Sequence, residues 1–176
     1  MDREELLEKY AAGERSFRGV NLEGIDLSGI NLSGTNLTRV KLKGTNLTRA
    51  NLTKANMEMA MIENTILREA NLKGACIEGM FNSDLRGANL DYISMVEGQI
   101  IGCNMEKVSL IEAYLADVTI GDVILRDAIL EGMVGVISMD GVDLTGAIGF
   151  DSRILSNGYW NLTLPDGTFI TDWEAK

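Results

Sequence analysis

VNLEGIDLSGINLSGTNLTRVKLKGTNLTRANLTKANM, residues 20–57, carries an apolar residue at every fifth position, all leucine until the closing methionine. The series extends both ways. It starts at Phe17 and runs through Leu22, Leu27, Leu32, Leu37, Leu42, Leu47, Leu52, Met57, Ile62, Leu67, Leu72 and Ile77. The phase then slips by three residues around Met80 to Ser83. A second series follows from Leu85 through Leu90, Met95, Ile100, Met105, Leu110, Leu115, Ile120 and Leu125 to Leu130. The phase breaks again at Gly135, with Met139 and Leu144 as weaker further repeats. Self-similarity at a fixed period is the signature of a repeat architecture.

A period of five excludes a helix, because five residues at 3.6 per turn advance about 500° and the leucine stripe would wind round the axis. Simple strand alternation fails as well, since its period is two. The remaining solution is a short extended piece followed by a turn. Taking the leucine position as the centre, the residue two before it is small or β-branched, as in Val20, Thr35, Ala50, Ala70, Ala88 and Ala128. These two positions point inward. The residue two after the centre is often glycine (Gly19, Gly24, Gly29, Gly34, Gly44, Gly74, Gly79, Gly87), which suits a turn needing positive φ.

Repeats such as VNLEG, IDLSG, INLSG, TNLTR and ANLTK closely resemble the pentapeptide-repeat family, whose consensus is A(N/D)LXX, over about residues 15 to 150. The opening LLEKYAAGERSFRGVNL and the closing LPDGT resemble its cyanobacterial members. The resemblance implies an all-β fold: a right-handed quadrilateral parallel β-helix, a solenoid with four pentapeptides per turn and a short N-terminal capping α-helix. Residues 1–14 are expected to be that cap, 15–150 the solenoid with its phase slip near 80–84, and 151–176 a C-terminal cap or tail.

Residues twenty apart should then stack. Asn31, Asn51 and Asn71 would form an amide ladder, and Glu23, Lys43 and Glu63 would alternate in charge, as would Arg86, Glu106 and Arg126, with Arg49 on Glu69. A solenoid also has raw ends that need covers. At the front, Asp2 and Glu5 read as a capping box, Leu6, Leu7 and Tyr10 as an apolar face, and Gly13 as a helix stop. At the back, the tail holds Trp160, Phe169 and Trp173, with Pro165, Asp166 and Gly167 as a turn between two strand-like segments. This tail either caps the rod or mates with a second copy.

No catalytic constellation survives inspection. The chain has no histidine, so it holds no Ser-His-Asp triad, Cys-His pair or HExxH site. Asp117, Asp122 and Asp127 lie five apart and should fall on successive sides. Cys76, one before a centre, should point out; Cys103, two before one, should point in. The reading is therefore no enzyme, no cofactor and no metal. The charged start and the lack of any roughly 20-residue apolar stretch lead us to expect a soluble, cytoplasmic protein with no membrane partner.

The outside carries what functional signal there is. Residues 15–57 hold seven basic and two acidic side chains, whereas residues 58–151 hold five basic and sixteen acidic ones. A chain of net charge −10 is not expected to bind nucleic acid directly, because phosphates repel it. The twenty-residue frame also gathers Val96, Tyr114, Ala116, Val134 and Val136 on one side, with Tyr92 and Ile101 at its margins. That strip is the candidate protein-contact face, unless the tail covers it or a homodimer uses it. The expected function is a non-catalytic scaffold or protein-interaction module with an unknown protein partner. The resemblance supplies an alternative, since the family includes acidic quinolone-resistance members that mimic DNA and bind DNA gyrase. Here the basic first turns, the spread of charge over several sides and the lack of a projecting loop depart from that pattern.

Overall fold

A computed structural model describes residues 1–172. One helix is followed by a parallel β-solenoid whose turns stack through four ladders. The first runs Ser16, Asn36, Asn56, Cys76, Ser94, Tyr114, Val134, and the others start at Asn21, Asp26 and Asn31. We number the four faces in that order. Named strands on the first and second faces are β1 (Asn56–Met57), β2 (Cys76–Ile77), β3 (Gly79–Phe81), β4 (Ser94–Val96) and β5 (Gln99–Ile101), then β6 (Tyr114–Gly121) and β7 (Val134–Asp140), which run across both.

The stacking has a simple hydrogen-bond logic. Where the period is regular, each central amide donates to a carbonyl nineteen residues on: Phe17 to Asn36 at 2.8 Å, Leu22 to Lys41 at 2.9 Å, Leu27 to Asn46 at 2.7 Å. Each corner closes by a bond from three residues after the centre back to the central carbonyl, as from Ala50 to Leu47 at 3.0 Å. Such a turn needs a left-handed residue at its third position. Gly19 (φ 69°) supplies it, but so do Arg39 (φ 61°), Arg49 (φ 58°) and Lys54 (φ 57°), with the ladders on either side holding the strained residue in place.

The core is a column of the predicted inward residues, with Leu47, Leu67 and Leu110 buried and Cys103 among them, while Val20 in the first turn is only partly buried. Met139 and Leu144 are buried as well. The asparagine before each centre has a different role from the one expected. Its amide oxygen accepts from the backbone N–H two residues on, as in Asn31 from Ser33 (3.1 Å) and Asn51 from Thr53 (3.1 Å), where the threonine hydroxyl adds a second bond (2.6 Å). The asparagines stack in register as expected, Asn31 on Asn51 and Asn51 on Asn71, but their amide oxygens are taken up by these Asx turns, which satisfy a turn amide that no neighbouring strand reaches.

The phase slip is neither a bulge nor a looped-out corner. Met80 is fully buried and acts as a centre, so the interval from Ile77 is three residues instead of five. Partners above it are eighteen apart, Glu63 with Phe81 and Ile66 with Asp84, and the twenty-residue register resumes below, Met80 with Ile100. The two residues are thus lost before Met80, not between Met80 and Ser83. Gly79, expected to be a turn glycine, is consequently a strand residue in β3. The second break falls at the same corner one residue short. Gly135 takes the central place opposite Leu115, Met139 pairs with Ile120, and the register shifts between Ala116 and Val118.

Both ends are covered. Helix α1 (Arg3–Ala11) starts at Asp2, whose carboxylate accepts from the Glu5 amide at 2.9 Å. Leu6 is buried and Tyr10 partly so, but Leu7 points to solvent. Arg3 fastens the helix to the first turn through the carbonyls of Asp26 and Ser28. At the far end a short 3-10 helix (Ser152–Ile154) leads into β8 (Leu155–Thr163), which stacks parallel on β7 and pairs antiparallel with β9 (Phe169–Asp172) across the Pro165–Gly167 turn. Leu162 is buried in the last layer. Trp173 lies outside the described residues.

Gly135 gives the sharpest test of this packing. Its φ is 137°, and an added Cβ would come within 1.7 Å of the Leu115 carbonyl oxygen. Gly135→Ala should therefore lower the unfolding free energy by at least about 2 kcal/mol, measured by chemical denaturation; a midpoint matching the parent would refute the placement.

Candidate protein-contact face

The first face changes character along the rod. In the early turns its surface residues before the centre are Ser16, Asn36 and Asn56; in the later turns they become Cys76, Ser94, Tyr114 and Val134. The column after the centre changes in parallel, from Thr38 and Glu58 to Val96, Ala116 and Val136. Register puts Tyr114 beside Val134 and runs Val96, Ala116 and Val136 alongside them, so the strip expected from the sequence is contiguous. It is also open: Val96 is 49%, Tyr114 48%, Val134 52% and Val136 39% exposed. The described part of the tail, stacked on the end of the rod, leaves this side uncovered. Tyr92 sits at the corner with the fourth face, under the Lys73 ammonium 4.8 Å from its ring centroid. Ile101 lies round the opposite corner on the second face, in register with Phe81.

Sequence reasoning missed part of this surface. On the fourth face Ile129 and Ile148 stack in the column that earlier holds Asn31, Asn51, Asn71 and Asn89, and Ile148 is exposed. The signal was present, since each replaces the asparagine that makes the Asx turn.

A recess of about 270 Å3 opens at the corner between the first and second faces. It exists because the chain takes the short path from Ile77 to Met80, leaving Met59 and Ala60 above and Glu97 and Gln99 below without a full turn between them. Glu78, Gly79 and Phe81 form its floor and wall. A smaller recess of about 110 Å3, lined by Glu58, Cys76, Ile77, Glu78, Ser94 and Val96, joins it to the apolar strip.

Charge is sorted by face. In residues 58–151 the first and second faces carry Glu58, Glu63, Glu78, Glu97, Asp117, Asp122 and Asp140 and no basic residue. All five bases, Arg68, Lys73, Arg86, Lys107 and Arg126, lie on the third and fourth. Each is engaged there: Arg68 and Arg86 with Asp84 (2.6 and 2.8 Å), Arg126 with Asp143, Lys107 with Glu106, and Lys73 with Tyr92. The expected Arg86, Glu106, Arg126 alternation is thus replaced by pairing with carboxylates that precede the centres, whereas Lys43 with Glu63 (3.0 Å) and Arg49 with Glu69 (2.7 Å) stack as expected. Of the seven carboxylates on the first two faces, only Glu63 has an ion-pair partner among the described residues.

Cys76 and Cys103 are free thiols, outward and inward as expected, and burial pushes the Cys103 thiol above its ordinary pKa. Asp117, Asp122 and Asp127 take separate left-handed corners. No helix among the described residues is long and apolar enough to cross a membrane.

The stacked five-residue units define a β-solenoid repeat protein. Residues 16–53, 30–68 and 46–79 match the family model for pentapeptide repeats (8 copies), and the chain belongs to that family. Among solved structures the chain is similar to HetL, a pentapeptide-repeat protein involved in heterocyst differentiation regulation from the cyanobacterium Nostoc sp. strain PCC 7120, at 20% identity over 97% of this chain and 100% of that one, with a TM-score of 0.35. It is also similar to trypsin-treated QnrB1, a plasmid-mediated fluoroquinolone resistance protein (16%, 86% and 75%, 0.44), and to Rfr23 from the cyanobacterium Cyanothece 51142 (26%, 77% and 90%, 0.31). No curated protein matches the sequence.

The Asp84 cluster yields a pH test. The Arg86 guanidinium, and then Arg68, hold this carboxyl at about 2 against an ordinary 3.8. A depressed folded value means stability that is present above the ordinary pKa and lost as pH falls toward the folded one. Asp84→Asn keeps the Asx turn and removes the charge, so its melting deficit relative to the parent should be present near neutral pH and vanish by about pH 2. A deficit that persists in acid would contradict the assignment.

Proposed function

We propose that this rod is a non-catalytic protein-docking module whose contact surface is the first face of its later turns, centred on Tyr114 and Val134. One observation carries the reading. At the surface position before the centre, the early turns place asparagines whose side chains tie down the turn; here the same position holds an exposed tyrosine and an exposed valine. The exchange forgoes at each position a local hydrogen bond of about 0.5–1.5 kcal/mol and exposes apolar surface to water, against which the cross-strand Tyr114–Val134 pair returns only about 0.2–1 kcal/mol, so the stability of the isolated rod does not account for it. A contiguous apolar strip on a rigid sheet suits a partner that buries it. Parallel ladders hold the spacing of its side chains, so docking needs little ordering of the rod itself.

Capture from a lysate of the source cells, with chemical cross-linking, compares the parent with Tyr114→Asp, Val134→Asp and with a third-face control, Arg86→Gln. Proteins held by the parent and the control should be lost by the strip variant, with circular dichroism showing all three folded. Identical captured sets for all three would remove the first face from the reading.

A further inference from the structure

The partner's chemistry follows from what surrounds the strip. We infer that its occupant is a foreign protein surface with an apolar row flanked by lysine or arginine, one of whose cationic side chains enters the recess at the shortened turn. The inference rests on the first-face docking proposed above.

Three observations converge on it. Between residues 58 and 151 the side that carries the strip is acidic throughout, with carboxylates at Glu78, Glu97 and Asp117 beside the apolar columns and no base on the first or second face; the nearest base is Arg39 of the turn above, whose Nε lies 3.3 Å from the Met59 sulfur. Those three carboxylates have no ion-pair partner among the described residues, in a rod where every base of the same turns is already engaged. The recess itself combines Met59 and Phe81 as apolar walls with Glu78 and Glu97 as carboxylates and the Gln99 amide. That lining matches a side chain with an aliphatic stem and a cationic head. Glu78 also lines the smaller recess that Val96 shares, so the cation site and the apolar row form one surface.

A second copy of this chain fits poorly. Strip against strip would oppose two wholly acidic sides, which is repulsive. An antiparallel arrangement that brings the basic early turns of one rod to the acidic later turns of the other would lay the apolar columns on Ser16, Arg18, Asn36 and Thr38. Charge would match there, but the apolar strip would face polar groups.

The test uses two synthetic helix-forming peptides of equal length, each with a leucine row, one flanked by lysines and the other by glutamates. Fluorescence anisotropy measures their binding to the full chain at low and at physiological salt. The parent should bind the lysine peptide, more weakly as salt rises, and not the glutamate peptide. Glu78→Gln, Glu97→Gln should weaken binding about tenfold, whereas Glu69→Gln, Glu106→Gln, the same charge loss on the third face, should change it less than about twofold. Tyr114→Asn, Val134→Asn should also weaken it about tenfold. If only the Tyr114 and Val134 variant weakens binding, the first-face reading stands and the basic-partner inference fails. If only the Glu78 and Glu97 variant does, the first-face reading itself fails. No binding of the lysine peptide by the parent overturns the inference, and so does a light-scattering mass showing a parent dimer that Tyr114→Asn, Val134→Asn turns into a monomer.

Discussion

Everything in this rod depends on the backbone ladder between successive turns. Each strand is only two or three residues long in the early turns, far too short to be stable alone. It exists because the turns above and below satisfy its amides and carbonyls. That condition fixes the register, and the register fixes the period: one inward side chain per five residues, one corner between them, four corners before the chain lies above itself. The leucine column follows as the fill of a shaft of constant width. Corner glycines follow from the positive φ of the turn, and the asparagines from the turn amide that no ladder reaches. Arginine and lysine in left-handed corners show how strongly the ladders hold the path.

A constraint of this kind leaves the outward positions almost free. The rod uses that freedom unevenly. Its early turns have asparagine, threonine and bases outside; its later turns put valine, tyrosine and isoleucine there, and sort the remaining charges so that two faces are acidic and two are mixed. Both departures in spacing, three residues from Ile77 to Met80 and four from Gly135 to Met139, fall at the corner between the first two faces. The shaft absorbs them because an inward residue still arrives in every layer, and at Gly135 because the absent side chain admits the Leu115 carbonyl. The outer surface does not absorb them. It acquires a recess beside the apolar strip, and at that corner the rod departs from a flat-sided prism.

The architecture was legible because period five admits so few structures, and the buried column agrees with the sequence pattern from Phe17 to Leu144. The contiguity of Val96, Tyr114, Ala116, Val134 and Val136 was legible for the same reason, since a twenty-residue turn converts sequence spacing directly into neighbours. What escaped depends on local geometry. Met80 read as part of an interruption because a centre three residues after Ile77 violates the period, though in space it completes the layer. The asparagines read as a cross-turn ladder because their stacking was visible and their reach to the turn amide was not. The arginines of the third face looked equally able to pair across turns, but Asp84 and Asp143 stand nearer. The isoleucines of the fourth face stand apart from the first-face strip, and the exchange of asparagine for Ile129 and Ile148 in one column marks them as clearly as it marks Tyr114.

The account holds that Tyr114 and Val134 serve contact and not the fold. Thermal unfolding of Tyr114→Asn, Val134→Asn, which restores to the first face the residue type of its early turns, tests this most directly. The account predicts a melting temperature equal to or above that of the parent, because the Asx turns return and apolar surface leaves the water. A variant that melts several degrees lower would mean that the strip stabilises the rod, and would contradict the claim.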